Sequence, residues 1–300
     1  MTTATVFLAG LGLAAALFWG LRRFVHRGLA PGRIPATRSP ADFGLGFADV
    51  CIATANGKSL SGWLVPVAGE GAAPAVAIVH GWGGNAGTML PLARPLHEAG
   101  FAVLIFDARC HGRSDEDSFA SLPRFAEDLE HALDWLQRQP GVDPRGVALV
   151  GHSVGAGAAL LVAARRDDVA AVVSLAAFSH PRAMMRRWLA AKGIPYLPLG
   201  WAVLRYVEHV IGHRYDAIAP VASIGKLRCP TLLVHGAEDA TVPVAEAHAI
   251  HAARRGDHVR LKIIAGSHDD FGDSADIASE VAELVAFLRD CRTARGDRAP

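Results

Sequence analysis

The sequence predicts an α/β fold: one mostly parallel sheet with helices on both faces. Three observations predict it. First, short apolar runs recur along the chain: AVAIVH (75–80), FAVLIF (101–106), GVALVG (146–151), AVVSL (171–175), TLLVH (231–235) and VRLKII (259–264). Runs this short, without polar alternation, suit strands buried on both faces of a parallel sheet. Second, longer helical patterns separate them, near 88–99, 122–138, 154–165, 243–254 and 274–289. Strand–helix alternation implies a sheet covered on both sides. Third, FADVCIAT (47–54) and SLSGWLVPV (59–67) flank Asn56-Gly57, which is a hairpin signal.

The elements read in order as follows. Residues 2–21, TTATVFLAGLGLAAALFWGL, carry no charged side chain. Twenty residues at about 1.5 Å each span about 30 Å, the thickness of a bilayer's hydrocarbon core. Trp19 lies near one end, and Arg22, Arg23, Arg27 and Arg33 follow. A secretory signal would carry its charge before the apolar run and a small-residue cleavage site after it. The expectation for 1–27 is therefore a retained membrane anchor with a basic flank, a single pass. A cleaved signal and a buried helix are the alternatives. The arginines place the rest of the chain in the cytoplasm by the positive-inside rule.

Residues 28–46 hold three prolines in GLAPGRIPATRSP and read as a linker. Residues 47–290 read as one domain, and 291–300 as a flexible tail. About 55 residues separate AVVSL from TLLVH, a longer interval than the other crossovers. That stretch holds Met184, Met185, Trp188, Leu189, Tyr196, Trp201, Leu204 and Tyr206. It predicts helices lying over the C-terminal edge of the sheet, where ligands bind in open α/β sheets. Met184 and Trp188 become candidate substrate contacts, and simple packing onto the body is the alternative.

Composition narrows the function classes. Thirty Lys+Arg against twenty-nine Asp+Glu leave a net charge of +1, which excludes nucleic acid as the main partner. A hydrophobic share of 51% excludes disorder. Cys51, Cys110, Cys229 and Cys291 fit neither a zinc ribbon nor a CxxC redox pair. Isolated cysteines agree with a reducing compartment without establishing it.

Gly151-His152-Ser153-Val154-Gly155 matches G-x-S-x-G between a strand pattern and a helix pattern. The chemistry of a serine nucleophile requires that arrangement: a strained turn presents the hydroxyl at a helix N-terminus, and glycines let neighbouring backbone approach. A hydroxyl is a poor nucleophile without a base. Among fourteen histidines, His268 alone combines the position after the last strand with a Gly-Ser turn. His80 and His152 adjoin glycine turns and can instead bond to backbone. Asp239, after TLLVH, is the candidate orienting carboxylate, with Glu238 beside it as the alternative. The order Ser…Asp…His suits this topology.

Acyl transfer also requires donors for an oxyanion. His80-Gly81-Trp82-Gly83-Gly84 follows the third strand, so the backbone N–H groups of Trp82 and Val154 are the candidate donors. The Trp82 indole is also a candidate substrate contact. In Asp107-Ala108-Arg109-Cys110-His111-Gly112-Arg113-Ser114, Asp107 and Ser114 read as loop-bracing groups. Arg109 or His111 touching substrate is the alternative.

The motifs HGWGG, FDARCHGRSD, GHSVG, LLVHGAEDATVP and GSHDDF, in that order, resemble the α/β-hydrolase superfamily from about residue 47 to 290. Within it the chain looks most like the serine-aminopeptidase-like or lysophospholipase-like hydrolases. The resemblance implies eight strands, the second antiparallel, and a helical cap corresponding to 179–225. Members usually carry glycine where Cys110 stands, so the conformation of that loop is a point for the structure. The expected function is a serine hydrolase, EC 3.1 before EC 3.4, acting on a small-molecule acyl or ester substrate. Its expected triad is Ser153, His268 and Asp239. A peptidase or amidase, an acyltransferase and a catalytically silent membrane-tethered binding protein are the alternatives. No metal and no organic cofactor are implied, and the oligomeric state is open.

Overall fold

The computed structural model describes residues 3–69, 71–269 and 277–296. The strands are β1 (Ala48–Thr54), β2 (Lys58–Val65), β3 (Ala73–Val79), β4 (Ala102–Phe106), β5 (Val142–His152), β6 (Val172–Leu175), β7 (Thr231–Gly236) and β8 (Val259–Ile264). They form one sheet in the order β1-β2-β4-β3-β5-β6-β7-β8. β2 runs antiparallel to both neighbours and the remaining pairs are parallel. Asn56 and Gly57 make the β1–β2 connection with φ of 60° and 66°, the left-handed geometry that favours this dipeptide.

The helices are α1 (Thr3–Gly28), α2 (Ala93–Glu98), α3 (Leu122–Leu136), α4 (Val154–Ala163), α5 (Pro181–Ala191), α6 (Trp201–Ile211), α7 (Tyr215–Ile218), α8 (Pro220–Ile224), α9 (Ala245–Ala252) and α10 (Ile277–Gly296). The pattern over 88–99 predicted one helix. It is instead a 3-10 stretch, Ala86–Leu92, followed by the short α2. Pro91 and Pro95 lack the N–H groups that a continuous α ladder requires.

The apolar runs are buried on both faces, as their composition predicts. In β3, Ala75, Ala77 and Val79 join one core with α3 and α4, while Val76 and Ile78 join the other with α2 and α10. β4 divides in the same way, Leu104 and Phe106 against Val103 and Ile105. Burial of a Val, Leu, Ile or Phe side chain stabilises by about 1.5–3 kcal/mol. The double-sided sheet is therefore what fixes the positions of its C-terminal loops.

The 179–225 interval forms α5 to α8, a helical layer whose α5 and α6 pack into a third apolar cluster. Glu246 on α9 pins its start. One carboxylate oxygen accepts from Ser179 N–H and Oγ, both at 2.6 Å, and the other from Arg187. Burial alone would raise Glu246, but the bonds from Ser179 and Arg187 outweigh it and hold the carboxyl below its ordinary range.

Two boundaries differ from the sequence expectation. The 28–46 segment is not a free linker. Asn85 donates to Ile34 O at 3.0 Å, Arg33 to Ser114 O at 2.6 Å and Ala120 N–H to Leu29 O at 2.8 Å, and Pro40 and Leu45 are buried. Prolines stop a helix without preventing an extended chain from binding a surface. At the other end, α10 continues through 291–296, so that part of the predicted tail is helical. Residues 297–300 and the predicted first turn of the last helix, 274–276, lie outside the described residues.

α1 is the one helix among the described residues long and apolar enough to cross a membrane, by length and composition. Most of its length is exposed. Its last turns are not: Val25 and the following Leu29 are buried against Leu189, Val203, Leu204, Val207 and Tyr215.

Candidate active site

β5 ends at His152 and α4 begins at Val154, leaving Ser153 alone at the corner with φ 53° and ψ −113°. A non-glycine residue in that region is strained, and strain of this kind persists only where surrounding structure enforces it. The enforcement is close packing. A Cβ on Gly151 would lie 2.2 Å from Gly155 O, and one on Gly155 would lie 2.5 Å from His80 O. Neither position admits a side chain, which accounts for both glycines of the motif. Val154 is the first residue of α4, so its N–H has no intrahelical carbonyl to bond.

His268 follows β8 and Asp239 follows β7, so adjacent parallel strands deliver both to the edge where Ser153 stands. His268 Nε2 is 3.1 Å from Ser153 Oγ, and His268 Nδ1 is 2.6 Å from Asp239 Oδ2. The carboxylate fixes the tautomer: Nδ1–H donates to Asp239, which leaves Nε2 to accept the serine proton. Asp239 Oδ1 accepts from the N–H groups of Thr241 at 2.9 Å and Val242 at 2.7 Å. Glu238 points elsewhere, accepting from Gly266 N–H at 2.5 Å on the histidine loop. The alternative acid is therefore a brace. The final Asp270 and Phe271 of the GSHDDF motif lie outside the described residues.

Ser153 and His268 open into a cavity of about 1010 Å³. Trp82, Val154, Met184 and Trp188 all line it, so the structure brings every sequence-predicted site residue except the buried Asp239 to one space. A chain of carboxylate, imidazole and hydroxyl at these distances can generate a serine nucleophile and return its proton to a leaving group.

The model of the serine aminopeptidase family, S33, matches residues 71–216. The protein Rv2307c of Mycobacterium tuberculosis is 31% identical over 254 residues, covering 83% of this chain and 81% of that protein. YfhR of Escherichia coli K12 is 25% identical over 240 residues, covering 78% and 77%. Among solved structures, the Pyrococcus furiosus esterase Pf2001 superposes with a TM-score of 0.70 at 20% identity, over 87% of this chain and 97% of that one. Est1E of Butyrivibrio proteoclasticus, with ferulic acid bound, gives 0.65 at 21%, over 81% and 100%. The chain belongs to the α/β-hydrolase superfamily.

The remaining motif residues of this hydrolase are architectural. His80 is fully buried, with Nδ1 2.7 Å from Gly81 O and Nε2 accepting from Ala108 N–H at 3.1 Å. Burial, reinforced by His111, pushes its imidazole down to about 3, so it is neutral and ties the Trp82 turn to the loop after β4. His152 is likewise lowered by burial, and its Nε2 lies 2.9 Å from His268 O. Asp107 accepts from Ala86 N–H at 2.6 Å and Arg113 N–H at 2.8 Å.

Neither Arg109 nor His111 reaches the cavity. Arg109 is buried against Asp128, Asp117 and Glu127, with Nε 2.6 Å from Asp128. Burial works against its charge, but the carboxylates outweigh it and hold the guanidinium above its usual range. His111 stands edge-on to the Trp82 indole, 5.9 Å between centroids, and so supports that wall from behind. Cys110 adopts φ 65°. This is the left-handed geometry for which glycine is the default residue. The thiol compensates through contacts to Asp117 O at 3.4 Å and from Asp117 N–H at 3.3 Å. Cys110 is buried and Cys51 exposed, and both are free thiols.

Among the described residues, one group has metal-ligating character: His152, His268 and Asp269 bring ligand atoms within 4.8 Å of one another. His268 already spans Asp239 and Ser153, so an ion there would compete with that chain of hydrogen bonds.

Sequence reasoning missed the cavity's far side. Phe24, Val25, Gly28 and Leu29 line it together with Val203, Val207 and Ile211 of α6. The available signal was the coincidence of a helix end with an aromatic cap. Its physical content is the Phe24–Trp188 ring contact at 5.7 Å.

Proposed function

We propose that this hydrolase cleaves carboxylic esters of apolar acyl groups through a Ser153–His268–Asp239 triad and an acyl-enzyme. One observation carries the reading: the hydrogen-bonded sequence Asp239–His268–Ser153 ends on a strained serine facing an apolar cavity. His268 Nε2 takes the Ser153 proton as Oγ attacks the acyl carbonyl. Asp239 holds the tautomer and stabilises the imidazolium. The N–H groups of Val154 and Trp82 receive the oxyanion. His268 then protonates the leaving alcohol, activates water, and the second tetrahedral intermediate releases the acid.

The structural neighbour Pf2001 is an esterase by name, which supports the ester class. The matched family model is that of a serine aminopeptidase, so amide cleavage is the second reading. An aminopeptidase site must receive the substrate's ammonium group. The carboxylate that this cavity offers among its lining residues is Asp269, with 84% of its side chain exposed. The apolar remainder suits an acyl chain better. The N-terminal helix supports a single-pass anchor with the catalytic domain cytoplasmic. Reporter fusions after residue 40 that are active only outside would overturn that topology.

A fluorophosphonate probe tests the core of the proposal. Wild type is labelled and Ser153→Ala is not, and ester turnover falls by about four to six orders of magnitude in the variant. A folded wild type that resists the probe would count for the silent binding protein. Esters graded by chain length, set beside aminoacyl amides, separate the two hydrolytic readings.

A further inference from the structure

The end of α1 is part of the reaction chamber. The cavity that holds Ser153 and His268 is bounded on its far side by Phe24, Val25, Gly28 and Leu29. Val25 is buried in the same cluster as Leu189, Val203 and Val207 of the cap, and Phe24 stacks against Trp188 at 5.7 Å. Gly28 faces the same indole so closely that an added Cβ would lie 3.1 Å from Trp188 Cη2. A second ring contact, Phe18 to Tyr206 at 6.2 Å, extends the seam toward the apolar span. The chain after the helix is fastened by Ala120 N–H to Leu29 O at 2.8 Å, so this wall is fixed to the hydrolase body as well as to the cap.

Geometry also decides where the chamber lies relative to the span. The uncharged run ends at Leu21, and Phe24 follows three residues later, about 4.5 Å further along the helix axis. Arg22, Arg23 and Arg27 are exposed around this level. The chamber wall therefore begins where the apolar segment gives way to basic residues.

We infer that the last turns of α1 set the length of the acyl chain this hydrolase accepts. The element that would hold the protein in a bilayer is thus also a specificity-determining wall for a long-chain, lipid-derived acyl ester. The inference rests on the proposed serine-hydrolase reading, since the chain is measured from Ser153. An acyl group attached to Ser153 Oγ extends away from the sheet edge beneath Met184 and Trp188. It ends against Val25 and Gly28. Each methylene buried along that path raises kcat/KM by about fourfold. A side chain that fills the far end removes that gain for long chains first.

The test uses the full-length protein in detergent micelles and 4-nitrophenyl esters from butyrate to palmitate. Val25→Trp and Gly28→Leu are expected to lower the palmitate-to-butyrate ratio of kcat/KM by tenfold or more. Phe24→Ala, which only removes atoms, is expected to move the preferred chain length upward. Leu17→Trp, on the exposed part of α1, serves as the control and is expected to keep the wild-type ratio. Fluorophosphonate labelling of Ser153 is read in each variant. Unchanged ratios in labelled Val25→Trp and Gly28→Leu would overturn the wall and leave the hydrolase standing. If the filling variants lose labelling, Phe24→Ala decides, and an unmoved preference overturns the inference. Failure of wild type to label or to turn over any ester would remove both readings together.

Discussion

His268 Nδ1 lies 2.6 Å from Asp239 Oδ2, while the other oxygen of that carboxylate is held by the N–H groups of Thr241 and Val242. The acid is therefore locked before it orients the imidazole. Asp239→Asn keeps the shape but presents the wrong hydrogen to Nδ1. The expected result is a loss of about 10⁴ in kcat with the fold intact. Glu238→Gln, one residue away, is expected to stay within a few-fold of wild type. Equal losses in the two variants, measured on a short ester, would reverse the assignment.

The Glu246 carboxylate joins the body to the cap, through Ser179 and Arg187. Because Glu246 is held below its ordinary 4.5, its ionised form stabilises the fold at higher pH. That contribution is lost as pH falls through the lowered value. Glu246→Gln is expected to cost about 1–3 kcal/mol near neutrality. Thermal melts across pH should show the gap between wild type and variant closing in acid. A gap that is constant with pH would mean the bond is not charge-assisted.

His80 supplies a second acid sensitivity of opposite chemistry. It is neutral in the fold down to about 3, whereas an unfolded histidine protonates near 6.5. Between those values the unfolded state binds the extra proton, so stability falls as pH falls, by about 1.4 kcal/mol per pH unit for one such group. Buried His111 and partly buried His152, both lowered, act in the same direction. His80→Gln is expected to flatten the slope of stability against pH in this window by about one proton. Denaturant titrations at pH 4.5 to 6.5 measure it, and an unaltered slope would contradict a neutral buried His80.

Arg109 and Asp128 form a buried pair joined by two bonds, from the Arg109 backbone N–H at 2.8 Å and its Nε at 2.6 Å. Removing one partner strands the other, so Arg109→Ala is expected to destabilise by about 3–5 kcal/mol. The double variant Arg109→Met with Asp128→Leu should cost less than Arg109→Ala alone, because the fully buried carboxylate leaves with its partner, while Asp117 keeps Arg124 and Glu127 is partly exposed to solvent. Additive losses in chemical denaturation would argue against a coupled pair. Labelling of Ser153 is expected to persist in the double variant, since Arg109 does not line the cavity.

Much of the fold was legible because its signals are local. Apolar runs of buried-strand length, the Asn56-Gly57 turn and the glycines around Ser153 each state a constraint within a few residues. The Ser…Asp…His order was legible for a related reason: parallel strands end at one edge, so residues placed just after β5, β7 and β8 must converge. What failed was what depends on partners distant in sequence. Residues 28–46 look like a linker by composition, yet Asn85, Ser114 and Ala120 hold them in place. The structural reading of the loop after β4 left an Arg109 contact to substrate open as its alternative, and only the convergence of Asp128, Asp117 and Glu127 on the guanidinium closes it.

The sequence by itself therefore determined the sheet, the serine elbow, His268 and Asp239 as the candidates beside it, and the presence of a long apolar N-terminal helix. Only the tertiary structure decided that the end of that helix enters the cavity beside Trp188 and that Glu238 turns away from His268. Hydrophobic periodicity says that a face will be buried, but burial is nondirectional. Packing shape alone chooses the surface that a helix end covers.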